Sequence, residues 1–181
     1  SEAIIYFRPQ TPVLVAPAAE PITMTTRRKQ FVPRVLAITA GSSVRFPNED
    51  PILHNAFSTS PENAFDTGQY SRGDGRTELF SKPGLVRVYC NVHHSMFGFV
   101  LVLDTPFYTR ADAAGRFRLD GLPEGDGELV VFHDRGAPLK QQVSVTKGST
   151  IALDLDLNKR RVPAHSNKFG KPYARAHNAH Y

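Results

Sequence analysis

The sequence predicts an all-β protein made of two sandwiches, and three observations carry that expectation. Thirteen Gly and fourteen Pro are spread among short runs of Val, Leu, Ile and Phe, which suits many turns joining many short strands. Residues 85–89 and 151–157 alternate apolar and polar side chains with a period of two, as a strand does when one of its faces is buried. No segment sustains a helical period. With 40% hydrophobic residues over 181 positions, the chain can bury a real core, so a disordered chain is excluded.

Taken in order, residues 3–7 (AIIYF) form a short apolar strand candidate, and the Pro-rich stretch 9–21 reads as an extended linker. Strands over 32–38 and 43–46 flank the turn at Ala40-Gly41, and Phe46 leads into the dense turn cluster Pro47-Asn48-Glu49-Asp50-Pro51. Residues 68–75 are a polar, Gly-rich turn region. Strands over 77–80 and 85–89 bracket Lys82-Pro83-Gly84, a hairpin signal. Residues 97–103 are apolar almost throughout, as in a strand covered on both faces. After Asp104 the composition shifts, and Thr105-Pro106 opens a second series of strands over 116–119, 128–133, 141–145 and 151–157. The expected organisation is therefore an N-terminal strand and linker (1–22), a larger sandwich (23–104), a smaller one (105–157) and an irregular basic tail (158–181).

Charge is unevenly placed. The formal net charge is +5, but residues 158–181 hold six Lys or Arg and no acid, which leaves the rest of the chain about neutral. No basic platform interleaved with aromatics occurs in the body, so nucleic acid is not expected as a partner. The longest apolar runs fall well short of the roughly 20 residues a membrane span needs, so no span is expected. The start at Ser1, without a charged-then-apolar leader, would fit a mature protein whose export signal has been removed.

The single cysteine excludes an intrachain disulfide and leaves a thiol that is buried, reactive or bound to metal. Its neighbours favour the last. Cys90, His93 and Met96 stand at spacing C-x2-H-x2-M in the short connection between two strands. A thiolate, an imidazole and a thioether form a soft set that suits copper, and two His, one Cys and a weak axial Met define blue-copper electron-transfer sites. The second histidine is His54, which follows a turn and lies far enough upstream to arrive from a neighbouring strand. Zinc is the chief rival, but structural zinc favours several thiolates or imidazoles and rarely takes Met. A nucleophilic cysteine would want a third orienting group beyond a His, and none is evident. Asn55, next to His54, is placed to hydrogen-bond across to the Cys90 loop.

Residues 31–103 resemble a cupredoxin, with FPNEDPILHN (46–55) bearing the first ligand and YCNVHHSM (89–96) the other three. The loop length is similar to that of amicyanin, whereas plastocyanin-like proteins use a longer segment before the Met. The resemblance implies an antiparallel Greek-key sandwich and an exposed edge of His93 in an apolar patch, where electrons leave and a redox partner docks. The second half resembles the small transthyretin-like sandwich of carboxypeptidase regulatory-like domains, through Asp112-Ala113-Ala114-Gly115-Arg116-Phe117, Leu122-Pro123-Glu124-Gly125 and residues 129–133. About fifty residues are short for such a domain, and AIIYF could supply a missing strand, which would leave the cupredoxin as an insertion. Exported proteins that join these two units exist.

The resulting expectation is one mononuclear copper ion held by His54, Cys90, His93 and Met96, and single-electron transfer with a cytochrome or a redox enzyme. The alternative is copper buffering, delivery or tolerance, with weak extra sites in the tail. No catalysis by this chain alone is expected. An exported, periplasmic setting fits the copper chemistry and the absence of a disulfide. His94 reads as a solvent-facing neighbour, Tyr89 as an alternating strand residue, Met24 as core and His133 as a surface or capping group. The tail, with His165 and the His177-x2-His180 pair, reads as an arm that stays mobile or wraps over a surface, there building a homo-oligomer.

Overall fold

A computed structural model describes residues 3–159 and 161–173. His177 and His180 of the expected tail pair lie outside the described residues. The described chain is all-β, without a helix, and no helix is long and apolar enough to cross a membrane.

Two sheets pack face to face in the first half. One holds, in spatial order, β5 (Val35–Thr39), β11 (Phe97–Leu103), β10 (Gly84–Tyr89), β7 (Phe57–Ser58) and β8 (Phe65–Asp66). The other is ordered β2 (Ile22–Thr23), β6 (Ser42–Asn48), β3 (Thr25–Arg27) and β4 (Gln30–Val32), with β9 (Gly73–Phe80) also paired to β6. Alternation fills the space between them. Val44 and Phe46 of β6, Val86 and Val88 of β10, and Val100 and Val102 of β11 point into one core with Met24, Phe31 and Ile38, while Arg45 and Arg87 face water.

β11 is buried at all seven positions because its other face is covered as well. Phe97, Phe99, Leu101 and Leu103 pack against a third sheet, ordered β12 (Tyr108–Arg110), β1 (Ile4–Pro9), β13 (Gly125–Phe132) and β14 (Leu139–Val145). The strand of residues 3–7 belongs here. Ile4 pairs with Phe132 on one side and Arg110 on the other, so the N-terminus is stitched between strands of the second half. β1 divides its side chains cleanly: Ile4 and Tyr6 meet the first half, whereas Ile5 and Phe7 face outward into a further cluster. The Pro-rich stretch is tied down on its way back. Ser42 Oγ accepts the Ala18 amide, and the Thr39 hydroxyl donates to the Ala16 carbonyl, both at 2.8 Å.

Two segments expected as strands, 116–119 and 151–157, make no ladder. Their alternation still has a physical cause: Phe117, Leu119, Ile151, Leu153 and Leu155 are the half-buried residues that cover the outer face of the third sheet. The second half thus has one hydrogen-bonded layer and one irregular layer. Burying one face is enough to impose a period of two on a segment that pairs with nothing.

Candidate metal centre

The site lies where the segment that follows β6 meets the loop between β10 and β11. The turn cluster of residues 47–51 is built around Asn48, which is buried. Its Oδ1 accepts the Asp50 amide and the Thr26 hydroxyl, and its Nδ2 donates to the Ile52 carbonyl. His54 then bridges to Tyr70 through both backbone groups, at 3.2 and 2.9 Å. That bridge places a fully buried imidazole at the edge of the core.

Asp50 has two tasks. Its carboxylate accepts the amides of Arg28 and Lys29, at 2.7 and 2.8 Å, in the two-residue turn of the β3–β4 hairpin. Both residues have positive φ, 52° and 56°, a conformation that a primed hairpin turn requires and that side chains other than Gly adopt at a cost. Asp50 Oδ2 also lies 2.8 Å from His54 Nε2. A carboxylate accepts only, so Nε2 carries a proton, and in the neutral ring that leaves Nδ1 with the lone pair facing the site. Burial pushes the Asp50 carboxyl up, but these hydrogen bonds outweigh it and hold it below the usual carboxylate range.

The other loop joins β10 to β11, whose last pair is Tyr89 with Phe97. Inside it, the Cys90 amide donates to the Met96 carbonyl and the Met96 amide to the His93 carbonyl, which tightens the connection. Cys90 is completely buried, and its Sγ lies 3.7 Å from His54 Nδ1 and 3.9 Å from His93 Nδ1. One potential donor atom from each of His54, Cys90 and His93 lies within 4.8 Å of the other two. Met96 is buried in the same core cluster as Cys90. His93 is half-buried, and burial followed by the charges of His54 and Lys29 lowers its pKa, which favours the neutral ring a metal needs. His94 is exposed on the outside of the loop.

Asn55 links the two loops. Its Oδ1 accepts the Asn91 amide at 2.7 Å and lies 3.6 Å from Cys90 Sγ, while its Nδ2 donates to Asp66 at 3.2 Å. Asp66 is completed by Lys168, whose Nζ is 2.7 Å away. Burial raises the Asp66 carboxyl, but the Lys168, Asn55 and Gly68 donors together hold it below its ordinary value. The stability this carboxylate contributes is therefore present above its unfolded pKa, about 3.9, and is lost as pH falls through the lower folded value. Acid unfolding of Lys168→Met is expected to show a weaker loss of stability below about pH 4 than the parent chain. Identical acid limbs would show that the pair does not stabilise the fold.

Of the residues to which the sequence points, His54, Cys90 and His93 come together, with Met96 and Asn55 adjoining. The sequence does not point to Asp50, whose place in a Pro- and Asn-rich cluster reads simply as a turn, or to Asp66 and Lys168, which are 102 residues apart. His133 lies apart from this cluster and is buried rather than on the surface, because it follows directly on the inward-packed end of β13. Its Nδ1 accepts the Arg135 amide at 3.1 Å, which is a capping contact.

No protein-family model matches the chain, and no curated protein matches it. Solved structures similar to it include a purple cupredoxin from Nitrosopumilus maritimus, at 22% identity and a TM-score of 0.42, covering 45% of this chain and 99% of that one. A copper-containing nitrite reductase from Thermus scotoductus is similar at 31% identity and a TM-score of 0.44, over 51% of this chain but only 25% of that enzyme. Amicyanin, in the reduced state of a point mutant, is similar at 18% identity and a TM-score of 0.44, over 55% of this chain and 98% of its own.

Proposed function

We propose that the chain is a single-electron carrier in which His54, Cys90, His93 and Met96 hold one blue-type copper ion. The observation that supports this reading most is the convergence of two imidazole Nδ1 atoms on a buried thiol, 3.7 and 3.9 Å from its sulfur. Separations of that size suit ligands that each stand about 2.0–2.3 Å from a shared metal ion. The donor set fits the metal as well: one thiolate, two neutral imidazoles and an adjacent thioether are the chemistry that selects copper over zinc.

Copper supplies a one-electron couple when bound. The chain supplies rigidity. Asp50 fixes the His54 tautomer, Asn55 locks the Cys90 loop to its neighbour, and two paired strands anchor the loop at Tyr89 and Phe97, so the ligands move little between oxidation states. His93 is the proposed exit for electrons. It is half-buried, and the exposed Val92 beside it, with the exposed Ile52 and Leu53 just before His54, gives the ligand loops an apolar rim suited to brief docking of a redox protein. An exported, periplasmic setting belongs to the same reading. Copper buffering or delivery is the alternative, and it calls for an ion that leaves readily, whereas Cys90, His54 and Met96 are at most 1% exposed.

A copper titration of the apoprotein, followed by visible and EPR spectra, tests the proposal. The parent chain is expected to develop an intense thiolate-to-copper band at one equivalent, and Cys90→Ser is expected to lose it. Several weak equivalents without that band would overturn the carrier reading in favour of metal buffering.

A further inference from the structure

The segment of residues 163–173 folds back onto the metal centre, and its contacts converge on one target. Asn167 closes a tight reversal: its Oδ1 accepts the amides of Phe169 and Lys171, its own amide donates to the Lys171 carbonyl, and Gly170 adopts the positive φ of 74° that the reversal needs. The reversal sets His165 and Tyr173 side by side, with ring centroids 5.2 Å apart. Each ring then seats on the metal loop or its root. His165 stacks on Tyr89, the residue before Cys90, at 3.9 Å and nearly parallel, and Tyr173 lies 3.6 Å from the His94 ring. His165 Nδ1 donates to the Pro163 carbonyl, which keeps that ring in one orientation. Burial, followed by the nearby Cys90 and Tyr89, raises the Tyr173 pKa, as expected for a phenol enclosed against the loop.

Lys168, at the tip, grips both partners of Asn55. Its backbone amide donates to Asn91 Oδ1 at 3.2 Å, and Asn91 is the residue whose own amide donates to Asn55. Its Nζ pairs with Asp66 Oδ2, and Asp66 accepts from Asn55 Nδ2 through the other oxygen. Asn55 in turn lies against the Cys90 sulfur. We infer that the 163–173 segment is an intramolecular clasp on the metal centre, with Lys168 as a positioning residue that acts through Asp66, Asn91 and Asn55 on the Cys90 thiolate.

This inference rests on the copper reading for its functional consequence but not for its geometry. A chain that loses the clasp keeps its four ligand side chains and loses part of what holds Asn55 against the sulfur. Release of the ion should accelerate, and the thiolate band should shift, because Asn55 Oδ1, by accepting the Asn91 amide, fixes where the Cys90 loop sits. The contacts are local, so amides far from the loop should respond much less than Asn91.

The test uses the full chain as parent, Lys168→Met and Lys168→Arg, the first keeping the aliphatic stem without the charge and the second restoring it. In the apoprotein, hydrogen exchange of the Asn91 amide is expected to speed up about tenfold in Lys168→Met and to return towards the parent rate in Lys168→Arg, while core amides of β11 change much less. In the copper-loaded protein, transfer of copper to a chelator is expected to quicken by about tenfold, the low end of what outer hydrogen-bond partners contribute, with a displaced thiolate band. Unchanged exchange at Asn91 in Lys168→Met would overturn the clasp whether or not copper binds. Faster exchange in a chain that shows no thiolate band would sustain the clasp and overturn the carrier reading instead.

Discussion

Asp50→Ala is expected to weaken copper binding by about ten- to a hundredfold and to destabilise the apoprotein by roughly 3 kcal/mol. Both effects come from one carboxylate. Removing it leaves His54 Nε2, fully buried, without its acceptor, and frees the imidazole to exchange tautomers, so Nδ1 no longer holds its lone pair towards Cys90. It also strips the acceptor from the amides of Arg28 and Lys29 in a hairpin turn whose two residues both adopt positive φ. Asp50→Asn should fall between, since an amide oxygen can serve one of those donors but cannot match a charged acceptor. Chelator competition measures the first effect and denaturant unfolding of the apoprotein the second. Parent-like affinity in Asp50→Ala would show that the carboxylate does not orient His54.

Phe7→Ala is expected to cost about 3–5 kcal/mol, the range for truncating a fully buried aromatic ring. Phe7 sits in β1 between β12 and β13, and its ring fills the cluster under the irregular layer formed by residues 117–122 and 151–155. Its backbone is engaged too: the Phe7 amide donates to the Phe107 carbonyl, and the Thr105 hydroxyl donates to the Phe7 carbonyl at 2.6 Å. The damage should be confined to the third sheet. Hydrogen exchange is expected to rise in β13 and β14 well before it rises in β10, and uniform loss across all three sheets would show that they unfold as one unit.

The parts of the centre that can be read from sequence are those set by local spacing. Cys90, His93 and Met96 occupy one short loop, and the strand on either side of it holds Cys90 and His93 close together. His54 is legible from the turn before it, although it arrives on an isolated bridge to Tyr70 and not on the expected strand. Asp50 cannot be read, because a turn cluster rich in Pro, Asn and Asp has an adequate explanation without any role for its carboxylate. Lys168 cannot be read either, since a basic, Gly- and Pro-containing stretch carries no signal of where it docks. For the fold, the continuous apolar run of 97–103 does report coverage on both faces of β11. Residues 116–119 and 151–157 look like strands because alternation reports burial of one face, not hydrogen bonding to a neighbour.

The pairing of β1 with β12 and β13 also fixes an order of events during synthesis. β1 is made before its two partners, which lie about a hundred and more residues later in the chain. Everything required for the first two sheets, from β2 to β11, emerges in between. The first two sheets can therefore close while β1 still waits, an apolar segment whose two edges are paired only by the later strands. Until they emerge AIIYF has no sheet to join, and the last sheet to assemble is the one that unites β1 with β12 and β13.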